Sequence, residues 1–178
     1  MIRNFLLIFT ICGILKSCNY SPKEKLTNID LIEKISSEVT MFINDQYEFI
    51  SIGSIDIAEK VFSKDATLIG TDEEEYLIGW EKIKYSILGQ IEAIENPKFV
   101  TRNLKITIGD DGKMASYSQI LDFSYRTTAT EGSSGVKYEI NNIRNSGVIK
   151  KIDGKWKIIQ LHWSHGKKGQ MVKYKIAR

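Results

Sequence analysis

Polar side chains that interrupt apolar rows are the residues of this 178-residue chain best placed to do chemistry. In the predicted strand 113–126, every second residue from Ala115 to Phe123 is apolar except Gln119, whose amide would need a hydrogen-bond partner there. Arg102 similarly stands among aliphatic residues on one face of the preceding predicted strand. A charge on an apolar stripe is informative, because charged side chains are rarely buried without a partner.

Two further groups share such faces. Tyr117 belongs to the row that contains Gln119, and His162 shares a face with Trp156 in the last predicted strand. Each group has a structural alternative, because tyrosine often packs in a core and histidine can bind a backbone group. A ligand with an acidic or carbonyl group would suit the pocket if three of these side chains converge there, namely Arg102, Gln119 and His162.

Several catalytic classes lack support in this sequence. We find no metal-ligand spacing, no glycine-rich phosphate loop and no nucleophile elbow. The predicted inner faces carry no Asp or Glu, so His162 has no carboxylate to orient it for proton transfer. The acidic run 72–75 is interpreted as a solvated turn. We therefore predict no metal and no cofactor, and we favour a binding role over an enzymatic one.

The first residues predict a bacterial lipoprotein signal peptide over residues 1–17. Arg3 precedes an apolar segment, 5–15, which ends in a Leu-Lys-Ser-Cys motif that resembles a lipobox with Cys18 as the lipidated residue. Lys16 departs from the usual pattern, in which this position is small or apolar. The alternative is a plain secretory signal followed by an incidental cysteine.

The predicted processing changes the charge and the location of the protein. Removal of residues 1–17 takes away Arg3 and Lys16, which lowers the formal net charge from +3 to +1. The electrostatic footprint of a nucleic-acid-binding protein is then missing. We expect a bacterial cell-envelope protein that faces the periplasm or the exterior. Its contact with the membrane would be only through lipid on Cys18, with residues 18–27 as a tether.

Hydrophobic periodicity predicts one domain over residues 28–165, with helices mostly preceding strands. The predicted helices are 29–50, 54–62 and 80–95, and the predicted strands are 66–71, 76–79, 99–108, 113–126, 136–152 and 155–165. This order favours an α+β fold, with helices on one face of a curved antiparallel sheet. Residues 166–178 carry five Lys or Arg residues and are interpreted as a basic C-terminal tail.

Short motifs, taken in order, resemble the SnoaL-like branch of the nuclear transport factor 2-like superfamily. They are Gly53-Ser54-Ile55-Asp56, Phe62-Ser63-Lys64-Asp65-Ala66, Ile69-Gly70-Thr71-Asp72, Gly79 before a helix, Asp153-Gly154-Lys155-Trp156-Lys157-Ile158 and His162-Trp163-Ser164. The resemblance spans about residues 30–165. It implies a cone in which a strongly bent antiparallel sheet wraps over three helices, with a pocket at the open end.

The resemblance also implies where ligand contacts would lie and which functions to expect. The expected pocket residues are Trp80 near the mouth, together with Arg102, Tyr117, Gln119 and His162. Family members include isomerases, cyclases, dehydratases, ligand binders and assembly domains, so the fold constrains function weakly. We expect a small, largely apolar ligand bound without transformation. The alternatives are an isomerase or dehydratase-type enzyme and an assembly domain without ligand.

A homodimer is predicted from the last strand. Ile159, Leu161 and Trp163 form an apolar stripe on the face opposite the predicted pocket residues. An exposed stripe of this kind favours burial against a second copy of the chain. A β-bulge that shifts the register by one residue would exchange the two faces.

Overall fold

The computed structural model describes residues 28–130, 132 and 134–166, which form an α+β fold as predicted. The predicted signal peptide, Cys18, the tether and residues 167–178 of the tail lie outside these residues. The elements are α1 (Asn28–Asp45), α2 (Glu48–Ile52), α3 (Ile55–Val61), β1 (Phe62–Ile69), β2 (Tyr76–Ile78), α4 (Trp80–Ala93), β3 (Ile94–Ile108), β4 (Met114–Thr127), β5 (Lys137–Ile152) and β6 (Lys155–Ser164).

The strands form a curved, unclosed sheet with the order β2-β1-β6-β5-β4-β3 in the described part of the chain. Its pairs are antiparallel except for β1 and β6, which run parallel. The parallel pair brings β1, from the first half of the chain, beside the last strand. The turn after β1 and the end of β6 therefore lie at the same end of the sheet.

The predicted first helix, 29–50, is two helices in the structure. The chain leaves α1 at Gln46 and Tyr47, both buried, and re-enters a helix at Glu48. The Gln46 side-chain amide donates a hydrogen bond to the backbone carbonyl of Ile43 at 2.9 Å, which satisfies one of the free carbonyls at the end of α1. The break thus places two polar side chains under the sheet.

Two strands begin earlier than predicted. β1 starts at Phe62, so residues 63–65 extend a strand rather than end a helix. β3 starts at Ile94 and contains Pro97. β3 is an edge strand, with β4 as its neighbour on one side. Pro97 has no backbone N–H, and an edge strand tolerates this because one side of its backbone forms no ladder hydrogen bonds.

A bulge in β6 reverses the alternation of its side chains. Val148 of β5 pairs with Gln160, whereas the next residue, Ile149, pairs with Ile158, so Ile159 is one residue in excess. Trp156 and Ile158 are buried before the bulge, and Leu161 is buried after it.

The bulge overturns the predicted outer stripe. Leu161 is only 3% exposed, and Trp163 packs against the core. The Ile159, Leu161 and Trp163 stripe is therefore not an exposed surface, and it cannot be the dimer face that we predicted. The homodimer itself stays a prediction without this support.

Candidate functional site

A cavity of about 230 Å³ lies between the helices and the inner face of the sheet. Most of its wall is aromatic or aliphatic. These wall residues are Tyr47, Phe49, Ile50, Phe62, Leu68, Ile87, Ile94, Phe123, Tyr125, Ile140, Ile143, Leu161 and Trp163. Polar lining residues with solvent exposure (Thr71, Glu75, Gln90 and His165) mark the mouth. The site is thus an apolar chamber with a polar opening.

Stacked aromatic rings extend from the chamber toward solvent. Tyr47 stacks on Phe99 with 4.7 Å between ring centroids, and Phe99 stacks on Phe123 at 4.6 Å. Phe123 then stacks on Tyr125 at 4.9 Å, and Tyr125 on the exposed Tyr138 at 5.3 Å. Because these rings hold one another in place, they offer a rigid apolar surface that costs little conformational entropy when a ligand binds.

Glu75 is the carboxylate at the mouth. Its Oε2 accepts hydrogen bonds from the backbone N–H groups of Thr71, at 2.9 Å, and Asp72, at 3.3 Å. The side chain folds over Gly70, where an added Cβ would lie 1.9 Å from Oε2. Glycine at position 70 therefore makes room for the carboxylate. We interpreted the run 72–75 as a solvated turn, and that interpretation is wrong for Glu75, which is half-buried and lines the cavity.

Tyr117 and Gln119 lie on the inner face of the sheet, as predicted, but they contact protein groups. The Tyr117 hydroxyl donates to Oε1 of Gln46 at 2.5 Å, and burial raises the pKa of Tyr117 well above its usual value. The Gln119 amide donates to Oδ1 of Asn145 at 2.8 Å, and the Asn145 amide donates to the carbonyl of His162 at 3.3 Å. This buried polar network links Gln46, the residue after α1, to β4, and it links β4 to β5 and β5 to β6. Neither predicted residue lines the cavity.

Tyr47 is a neighbour of Tyr117 and also lines the cavity. Burial, and after it the neighbouring Tyr117, raises the pKa of Tyr47, whereas the nearby indole N–H of Trp163 lowers it. The Tyr47 hydroxyl and the Trp163 indole nitrogen are both shielded from solvent, and neither makes a hydrogen bond of normal geometry within the described residues. What Tyr47 and Trp163 present to the cavity is therefore the surface of their rings.

Arg102 lies on the outer face, so its predicted pocket role is wrong. Its guanidinium forms an ion pair with Asp122 and donates to Oδ1 of Asn142 at 2.6 Å. The hydrogen bond from Arg102 and the backbone N–H of Asn142 lower the pKa of Asp122. The sheet register shifts after Arg102, where Asn103 adopts a positive φ of 57°, so the apolar row that begins at Leu104 does not continue back to Arg102.

The other two predicted pocket residues are also displaced from the cavity. Trp80 opens α4 as predicted, but its indole is buried and stacks on Phe62 with 6.1 Å between ring centroids. His162 takes the face opposite Leu161 and Trp163, because the bulge at Ile159 reverses the alternation. None of the five predicted residues is among those that line the cavity.

The cavity residues carry no metal centre that we can identify. Residues 28–130, 132 and 134–166 contain no group of three or more His, Cys, Asp and Glu side chains able to hold a metal ion. Within the same part of the chain, no helix is long and apolar enough to cross a membrane.

In the described residues, a curved six-stranded sheet packs against four helices, of which three precede β1 and one follows β2, and an apolar cavity lies between the sheet and the helices. These features define the nuclear transport factor 2-like class of α+β domain. Within this class, the chain belongs to the SnoaL-like domain family, whose model matches residues 39–166. The resemblance inferred from the short motifs is therefore confirmed.

Solved structures of low sequence identity share the fold. A nuclear transport factor 2-like protein from Salmonella enterica is 18% identical, with a TM-score of 0.65, and the match covers 80% of this chain and 99% of that chain. A candidate scytalone dehydratase from Novosphingobium aromaticivorans is 12% identical, with a TM-score of 0.64 and coverage of 76% and 86%. A candidate calcium/calmodulin-dependent protein kinase II association domain from Xanthomonas campestris is 22% identical, with a TM-score of 0.60 and coverage of 74% and 87%. No curated protein matches.

Proposed function

We propose that this protein binds a small, largely apolar molecule in the cavity and does not transform it. The observation that carries this proposal is the apolar chamber, whose wall is built from aliphatic side chains and aromatic rings, among them the stacked pair Phe123 and Tyr125. A chamber of this kind costs stability unless a ligand fills it, because its lining atoms otherwise lose packing contacts. Its volume of about 230 Å³ is below the roughly 300–1,000 Å³ typical of drug-sized sites, so the ligand would be small.

Native mass spectrometry of the full chain, purified from its own host, tests this function. We expect a mass above that of the polypeptide and its modifications, which is lost under denaturing conditions because the ligand is held without a covalent bond. The same native spectrum reports whether the protein is a homodimer. A bare chain mass in both spectra would contradict the binding function, and a bare dimer would favour the assembly alternative.

Glu75 favours a second candidate function, an isomerase or dehydratase-type enzyme. A half-buried carboxylate beside an apolar chamber is the kind of group that accepts a proton from a bound substrate. One structural neighbour is a candidate dehydratase. Incubating the captured molecule with the protein distinguishes the two functions, because an enzyme converts it and a binding protein returns it unchanged.

We further propose that the protein is attached to the bacterial cell envelope by lipid on Cys18, a proposal supported by the N-terminal sequence. Replacing Cys18 with Ser should move the protein out of the membrane fraction, because the acyl chains would be missing. Cys12→Ser is the matched control, since Cys12 belongs to the predicted signal peptide and its loss should leave fractionation unchanged. Membrane retention of the Cys18→Ser variant at the wild-type level would contradict lipid anchoring.

A further inference from the structure

We infer that the cavity mouth selects ligands by the charge of their polar end, and that Glu75 favours a cationic or hydrogen-bond-donating group over a carboxylate. This inference rests on the proposed binding function. It names the chemistry of the ligand: an apolar body that fits the chamber, joined to a polar end that donates hydrogen bonds at the mouth.

The first support is that Glu75 is held in place. Two backbone N–H groups, from Thr71 and Asp72, bind its Oε2, and the side chain rests over Gly70. A surface glutamate usually loses side-chain entropy when it meets a ligand, whereas an already ordered carboxylate loses less. Within the described residues, both of these hydrogen bonds go to Oε2, so the other carboxylate oxygen of Glu75 retains acceptor capacity for a donor.

The second support is the sign of the charge around the mouth. Asp72, Glu73 and Glu74 precede Glu75 in the same turn. Within the described part of the chain, no Lys or Arg lines the cavity, and His165 is the lining residue that can become cationic. Arg102, which we expected to bind an acidic ligand, lies on the outer face with Asp122. An anionic ligand would therefore meet a carboxylate without an opposing fixed cation.

Three probes with the same aromatic body and different polar ends test the inference. They are 1-naphthylmethylamine, 1-naphthylmethanol and 1-naphthoate, titrated into the full chain by calorimetry at neutral pH. We expect the amine to bind about tenfold more tightly than the naphthoate, the size of effect that one hydrogen bond to a charged group produces. Glu75→Gln should remove most of this preference, because the amide keeps the shape of the side chain and loses its charge.

Two further variants separate a local role of Glu75 from the charge of the whole turn. Glu74→Gln removes the same charge one residue earlier, at a position outside the cavity lining, and should keep the preference. Gly70→Ala keeps the charge of Glu75 but forces its carboxylate off the glycine, so it should weaken the preference. Thermal unfolding of each variant verifies that it is folded.

The outcomes distinguish this inference from the proposed function. Equal binding of the three probes, or a preference that survives Glu75→Gln, would overturn the inference and leave the binding function intact. Tighter binding of the naphthoate would also overturn it. If none of the probes binds, the inference is contradicted, and the native mass spectrum decides separately whether the binding function holds.

Discussion

Replacing Gly147 with Ala should lower the free energy of unfolding by about 2–4 kcal/mol. Gly147 lies in β5 opposite Tyr117 of β4, and an added Cβ would stand 2.6–2.7 Å from the Cε1, Cζ and Oη atoms of that ring. The ring cannot move aside without disturbing the hydrogen bond from its hydroxyl to Gln46, in the buried network. The expected loss therefore combines steric overpacking with damage to a buried hydrogen bond.

Urea denaturation at equilibrium measures the effect, and Gly89→Ala provides the matched control. A Cβ at Gly89 would meet nothing within 4 Å. Since Gly89 lies inside α4, alanine should stabilise the helix there by about 0.5–1 kcal/mol. The same Gly-to-Ala change should therefore lower the free energy of unfolding at position 147 and raise it at position 89. A Gly147→Ala protein as stable as the wild type would show that Tyr117 is not fixed by this contact.

The fold could be predicted because most of its elements have a regular period. Ile83 and Ile87 repeat at helical spacing in α4, and alternate residues of β4, from Ala115 to Leu121, are buried. A regular pattern of this kind records which side faces the core. The same rule explains why Tyr117 and Gln119 were correctly assigned to the inner face, although their partners are protein groups.

The site could not be predicted in the same way, because bulges interrupt the period. The excess residue at Ile159 sends Leu161 and Trp163 inward and His162 outward, and the irregularity at Asn103 separates Arg102 from the apolar row that follows. Neither interruption has a strong local sequence pattern, since a bulge depends on how two strands pair. One extra residue in a strand moves every following side chain of that strand to the opposite face of the sheet.

Tyr47 and Glu75, two of the cavity residues that the sequence did not predict, escaped prediction for different physical reasons. Tyr47 falls inside the predicted helix 29–50, and only the break between α1 and α2 turns it toward the sheet. Glu75 belongs to an acidic run, which usually indicates a solvated turn. Its contact with the cavity depends on the space above Gly70, a tertiary detail that a run of four acids does not reveal.

Replacing Leu68 with Trp should weaken binding of 1-naphthylmethanol at least about 100-fold, a loss of about 2.7 kcal/mol. Leu68 is half-buried in β1 and lines the cavity. An indole directed into the chamber would occupy the volume that the ligand needs. It would also add packing contacts with the residues that line the chamber, so we expect the free energy of unfolding to change by less than about 1.5 kcal/mol. Calorimetric titration and urea denaturation measure the two quantities.

Ile69→Trp is the matched control, because the neighbouring residue of a strand points to the opposite face. Ile69 pairs with His162, which the bulge in β6 also places opposite the cavity, and Ile69 is not among the lining residues. The same indole should therefore leave binding within about threefold of the wild type if it enters no ligand volume. Comparable losses from both variants would indicate a general disturbance of β1. Full binding by Leu68→Trp would place the ligand outside this cavity, so only a selective loss at position 68 supports the site.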